Sequence, residues 1–309
     1  MNKNIVFMGT SDFAVPILKS IYQNGFPISA VYTKPPKKSK RGQKINKSPI
    51  HNFAETLNFE IRTPDKLKNN NQELEFLKNK KLDLVIVVSY GQIIPENYLD
   101  ISKNGFINIH ASLLPKWRGA APIQRSLMNL DNETGISIMK INKNLDEGPL
   151  YDTYSTKVHS NENAGELSTR LSSIASEKII FCLDDIFSNK AKFIEQNSEL
   201  ATYANKIDKS EGRIIWNEDE KKILGKINGL YPYPGAWFLY KGERYKILKA
   251  ELSNAKGKPG EVLTENFDIG CRGYGIKVLE IQREGKRIQK IKEFKLGTEI
   301  KKGIILSNV

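Results

Sequence analysis

Five consecutive apolar residues, Leu84-Val85-Ile86-Val87-Val88, leave the chain few folds. Strand side chains alternate between two faces, so a strand that is apolar throughout must be covered on both. That is the position of a parallel strand inside an α/β sheet. The N-terminal pattern agrees. Residues 4–8 read as a buried strand, and Gly9-Thr10-Ser11-Asp12 as a turn with Ser11 or Asp12 as N-cap. Phe13, Ile17, Leu18 and Ile21 then recur at helical spacing up to Asn24-Gly25, and residues 28–32 form a second strand. Strand, turn, helix and strand open a doubly wound, mostly parallel, Rossmann-like sheet. The turn has only Gly9 where a dinucleotide-binding turn would carry Gly-x-Gly-x-x-Gly, so that reading is weak.

Further along, Ser48-Pro49 starts a helix to about 57, residues 59–62 make a short strand, and 72–80 make a helix. Strands are predicted over 133–141 and 150–158, and a long amphipathic helix over 164–187. Residues 203–213 read as a hinge. Beyond it a helix at 220–228 precedes strands at about 236–240, 243–252, 260–264 and 275–282, punctuated by Gly and Pro. Short strands with frequent turns predict a small β-barrel. The expected division is therefore 1–205 and 206–309.

No apolar run approaches the roughly 18–20 residues that span a membrane. The N-terminus enters a strand without a signal or transit pattern, so a cytoplasmic location is the default expectation. Cys182 and Cys271 stand far apart without His partners at metal spacing, which predicts inert thiols and no metal site. His51 and His159 read as structural.

Charge carries more information. Lys and Arg total 48 against 35 Asp and Glu, a net +13. Residues 206–309 hold 22 basic and 14 acidic side chains, a net +8. Lys34, Lys37, Lys38, Lys40, Arg41, Lys44 and Lys47 follow one another with no acid between them, in a polar segment with Pro35-Pro36 that is expected to be an exposed loop. Two basic regions point to a polyanionic partner such as RNA.

The second constraining stretch runs from Phe106 to Gln124. It begins as a strand with Asn108 and His110 on one face, Ile107 and Ile109 on the other. An amide and an imidazole at the end of a buried strand are costly unless satisfied, and this marks a site. On pattern alone, Asp146 in Leu145-Asp146-Glu147-Gly148 reads as a turn carboxylate between two strands.

Asn108-x-His110 followed by Ser112-Leu113-Leu114-Pro115 resembles the formyltransferase family that uses 10-formyltetrahydrofolate. The continuation Trp117-Arg118-Gly119-Ala120-Ala121-Pro122-Ile123-Gln124 is most similar to the branch that acts on methionyl-tRNA. The similarity is strong through residue 205 and weaker beyond. It implies that Asn108, His110 and Asp146 are catalytic, and only this joint match promotes Asp146. It places the folate beside Ser112, Leu113, Leu114 and Pro115, with the pteridine near Gln92, Ile93 and Ile94, and the acceptor near Thr10 and Phe13. It implies that Lys37, Lys38, Lys40, Arg41 and Lys44 meet the tRNA, and that the C-terminal barrel is OB-like. A monomer without metal is expected.

The implied reaction has an amine nucleophile, an amide-like donor and a tetrahedral oxyanion. Asn108 can donate to that oxyanion. His110 can hydrogen-bond the formyl oxygen and assist proton transfer, with Asp146 orienting it. A cis Leu114–Pro115 bond fits the loop. Two alternatives differ in class. One is a relative acting on a small amine, such as glycinamide ribonucleotide or a nucleotide-linked amino sugar; the two basic regions argue against it. The other is a non-catalytic RNA-binding protein; the intact trio argues against that.

Overall fold

A computed structural model describes residues 3–39 and 44–306. They fall into two compact units. One comprises Met1–Gly119, Gly135–Ser155 and Ser168–Tyr203; the other comprises Ala120–Thr134, Thr156–Leu167 and Ala204–Val309.

In chain order the elements are β1 (Ile5–Gly9), α1 (Ala14–Gln23), β2 (Ile28–Tyr32), β3 (Lys37–Ser39), β4 (Lys44–Asn46), α2 (Pro49–Thr56), β5 (Ile61–Arg62), α3 (Asn71–Asn79), β6 (Leu84–Val88) and α4 (Glu96–Leu99). There follow β7 (Phe106–His110), β8 (Arg118–Gly119), α5 (Pro122–Met128), β9 (Glu133–Lys140), β10 (Leu150–Lys157) and α6 (Ala164–Phe187). Seven strands form one sheet in the order β10-β9-β7-β6-β1-β2-β5. The pairs β1/β2, β2/β5, β1/β6 and β6/β7 are parallel, and β9 runs antiparallel to β7. All five residues of β6 are buried, as its unbroken apolar run requires. The chain winds outward from β1 through β2 and β5, then returns to β6 on the other side of β1. The switch point, where open α/β sheets bind ligands, lies beyond the carboxyl ends of β1 and β6.

Three sequence expectations change. α1 has no side-chain N-cap. Phe13 occupies that position with helical angles, and the carbonyls of Ser11 and Asp12 accept the amides of Ala14 and Val15. The backbone already turns at Phe13, which leaves the Ser11 and Asp12 side chains no capping role. The basic segment is not a plain loop. β3 and β4 pair antiparallel, with Lys37 opposite Asn46 and Lys38 opposite Ile45. Residues 260–264 do not form a strand. Leu263 donates to the Asp268 carbonyl and Phe267 back to the Thr264 carbonyl around a tight turn, leaving only isolated bridges from Glu261 to Ile305 and from Val262 to Ile269.

The second unit is built on β12 (Ala236–Tyr240), β13 (Glu243–Ser253), β14 (Asp268–Gly270), β15 (Gly275–Arg283) and β16 (Gln289–Lys290), after β11 (Tyr203–Ala204) and α7 (Glu220–Gly229), and before α8 (Ile291–Leu296). The order β12-β13-β15-β14, with β16 on β15, makes an antiparallel half-barrel. Its core gathers Trp216, Ile223, Phe238, Tyr245, Ile247 and Phe294. α7 lies against α5 with Gly225 and Gly229 at the contact. A Cβ on Gly225 would sit 2.9 Å from the Leu127 carbonyl, and one on Gly229 would sit 2.9 Å from the Gln124 carbonyl.

Among the described residues no helix is long and apolar enough to cross a membrane. Both cysteines are buried and free, and burial pushes the Cys271 thiol up to about 12.

Candidate active site

The site grows from the carboxyl end of β7. In register, Asn108 lies beside Val87 of β6 and opposite Met139 of β9, and His110 lies opposite Ser137. The chain then leaves the sheet through a loop containing a cis Leu114–Pro115 bond. Ser137 shapes this loop from below: its hydroxyl donates to the Ser112 carbonyl at 2.7 Å and accepts the Leu114 amide at 2.9 Å. Ser112 is fully buried and donates to the Lys116 carbonyl at 2.6 Å. Trp117 follows at φ +63°, a conformation that a bulky residue rarely adopts. Its carbonyl meets His110 Nε2 at 2.8 Å. A carbonyl only accepts, so Nε2 carries a proton and Nδ1 is the ring nitrogen left for chemistry.

Nδ1 faces Asp146 Oδ2 at 3.7 Å, within charge range but longer than a hydrogen bond. Asp146 also stands at positive φ, +51°. Its Oδ2 accepts the Gly119 amide at 2.8 Å, and its Oδ1 lies 3.5 Å from Asn108 Nδ2. The structure thus brings Asn108 and His110 of β7 together with Asp146, in a turn 38 positions after Asn108. Gly148, two residues on, packs so close that a Cβ would reach 1.8 Å from the Lys140 carbonyl, so only glycine fits that turn.

The other candidates surround the switch point. Thr10 follows β1 and donates its hydroxyl to the Tyr90 carbonyl at 2.8 Å, joining the two strand ends. Phe13 is buried, and its carbonyl accepts the Ser172 hydroxyl at 2.7 Å. Past β6, Gln92 donates to the Pro64 carbonyl at 2.9 Å while its buried Oε1 has no partner. Ile93 is 88% exposed, and Ile94 packs on the core. An unpaired acceptor beside an exposed apolar side chain fits a flat heterocycle carrying amino groups. Lys37 is exposed at the start of the β3–β4 hairpin, and Lys38 and Lys44 lie within it. Lys40 and Arg41 lie outside the described residues. Among those residues no three His, Cys, Asp or Glu side chains gather as a metal site.

Residues 3–183 match the formyl transferase family, and residues 206–299 match the C-terminal domain of formyl transferases. The chain belongs to the formyl transferase family. It is 61% identical over 310 residues to the methionyl-tRNA formyltransferase of Pelagibacter ubique, with 100% of both chains covered. It is 42% identical to that of Paracoccus denitrificans, covering 92% of this chain and 93% of the other. Among solved structures, the sugar 3N-formyltransferase WlaRD, crystallised with dTDP and 5-N-formyl-THF, superposes with a TM-score of 0.71 at 23% identity, over 93% of this chain and 100% of that one. HypX from Aquifex aeolicus with tetrahydrofolic acid gives 0.69 at 17% identity, over 96% of this chain and 47% of that one. At those identities the likeness shows the fold alone.

Several groups of this candidate site escape a reading of the sequence. The Trp117 carbonyl and the Gly119 amide act through the backbone, which side-chain patterns do not report. Arg118 lies in the motif, and its near-complete burial, 1% exposed, shows only in three dimensions. Gln196 carries no local signal at all.

Proposed function

We propose that the chain transfers the formyl group of 10-formyltetrahydrofolate to the α-amine of charged initiator methionyl-tRNA. The observation that carries the reading is the convergence of Asn108, His110 and Asp146 beside the switch point, in a chain that matches methionyl-tRNA formyltransferases over its full length. The folate supplies the activated one-carbon unit. Gln92 Oε1, Ile93 and the Ser112–Pro115 loop would hold it.

The roles follow from the contacts. The separation of Asn108 Nδ2 from Asp146 is at the outer limit of a hydrogen bond, so its N–H groups remain available to the formyl oxygen as negative charge develops there. His110 is fixed by the Trp117 carbonyl, which leaves Nδ1 to accept a proton on its Asp146 side. Asp146 orients that imidazole and stabilises it when it carries the proton. Catalytic contacts are often long without substrate and tighten when it binds, and the 3.7 Å separation accords with that. The β3–β4 hairpin and the basic second unit supply positive charge for a tRNA. A cytoplasmic monomer working where charged tRNA is available completes the reading.

The test is an acceptor comparison. Purified chain is given labelled formyl donor and either charged initiator tRNA, glycinamide ribonucleotide or a nucleotide-linked amino sugar. Label should enter the methionyl-tRNA. Label in a small amine instead, with none in tRNA, would sink the proposal in favour of the small-amine alternative.

A further inference from the structure

We propose that Gln196, on the extended segment after α6, is a positioning residue for the Asp146 carboxylate, with the buried Arg118 as its anchor. The inference rests on the reading of Asp146 as part of the reaction.

The Gln196 amide is saturated. Its two N–H groups donate to the carbonyls of Asp146 at 2.9 Å and Gly148 at 2.8 Å. Its oxygen accepts Arg118 Nε at 3.1 Å and Nη2 at 2.8 Å. A side-chain amide offers two donors and two acceptor lone pairs, and all four are used. The orientation is fixed as well, since carbonyls require the nitrogen end and a guanidinium requires the oxygen end. Arg118 is 1% exposed, and its remaining contacts are Glu147 Oε1 at 3.1 Å and Ser198 Oγ at 3.3 Å. One guanidinium thus grips the 146–148 turn twice, directly through Glu147 and indirectly through Gln196.

The same segment grips the opposite side of the site. Thr202 accepts the Trp117 amide on its hydroxyl at 2.9 Å and the Arg118 amide on its carbonyl at 2.8 Å, and its own amide donates to the Pro115 carbonyl at 3.2 Å. Trp117 presents the carbonyl that holds His110, and Gly119 presents the amide that holds Asp146. Residues 196–202 therefore fasten both halves of the site. They hold Trp117 and Asp146 at positive φ, a backbone conformation that persists where its surroundings over-determine it. Losing one clamp releases a group whose misplacement by about 1 Å can cost about 100-fold in rate.

Gln196→Glu is the discriminating variant. It keeps an acceptor for Arg118, and with it a partner for the buried charge, but it has no N–H for the two carbonyls. Gln196→Met, similar in length, unable to donate and only a weak acceptor, serves as the second variant if the first does not fold. The variant should lower kcat about 10- to 100-fold while leaving KM for the folate donor close to the parent. In an Asp146→Ala background the same change should add less than about twofold, because a residue that acts through Asp146 has nothing left to act on. Amide exchange over residues 145–148 should quicken at least about tenfold, a readout that needs no activity. The proposal is overturned by a kcat within about twofold of the parent, by an equal loss in both backgrounds, or by unchanged exchange. A parent chain that formylates nothing would overturn the functional reading instead, and exchange would still decide whether Gln196 holds the turn.

Discussion

In the proposed reaction Asn108, His110 and Asp146 have different parts, so their losses should differ in form from a folding defect. Replacing any one with Ala should lower turnover about 100- to 1000-fold, the effect of removing one oxyanion donor. Reduced-folate binding, followed by fluorescence, should stay near the parent; turnover within a few-fold for all three would remove them from the mechanism. Asn108 and His110 are legible in the sequence because the two-residue period of a strand puts them on one face. Asp146 is legible only through its match to a family, since an Asp in a turn is ordinary. Gln196 is illegible because its partners lie 48 and 50 positions away and no local pattern encodes them. A second residue-scale test concerns Glu211, which accepts Arg125 Nη1 at 2.6 Å and Nη2 at 3.0 Å. That guanidinium holds the Glu211 carboxyl below its ordinary value of 4.5. A depressed folded-state pKa means the stabilisation is present above the unfolded value and is lost as pH falls through the folded one. The melting-temperature gap between the parent and Glu211→Gln should therefore be widest near neutrality and close in acid. A gap independent of pH would mean that the pair contributes nothing through its charge.

Elements carry two further tests. In an exposed helix, Gly→Ala stabilises by about 1 kcal/mol. At Gly225 the added Cβ would stand 2.9 Å from a backbone carbonyl, which cannot move as a side chain would, so the sign should invert. Gly225→Ala is expected to lower the midpoint of thermal unfolding; a higher midpoint would show that α5 can shift away. The β3–β4 hairpin is the second case. Replacing Lys37 and Lys38 with Ala should weaken use of charged tRNA and flatten its salt dependence, with folate binding unchanged. An unaltered salt slope would remove the hairpin from the RNA contact. Its strands hide in the sequence because Lys, Ser and Asn are poor β-formers, and the pairing is set by cross-strand geometry more than by propensity. The opposite error arises at 260–264, where Val262 and Leu263 look like a strand and the turn at 264–267 draws the backbone elsewhere. By contrast, α6 matches its predicted bounds, since 24 residues of helical period leave little ambiguity.

At the scale of the molecule, the α/β sheet can be read almost strand by strand, while the half-barrel's short β14 and β16 cannot, being two or three residues each. Nor does any periodicity reveal that α5, far back in the chain, packs within the C-terminal unit. A fragment ending at residue 205 would leave α5 without α7 and expose Leu127, which is buried in the full chain. Such a fragment should melt at a lower temperature and bind more of an apolar dye; a melt superimposable on that of the full chain would show that α5 needs no cover. The same interleaving has a consequence in time. At about 5–20 residues per second, several seconds of synthesis separate the emergence of α5 from that of α7. Throughout that interval the side of α5 that α7 covers has no partner, and a segment of seven residues is too short to hold as a helix by itself, so the ribosome must deliver the tail before the middle can settle.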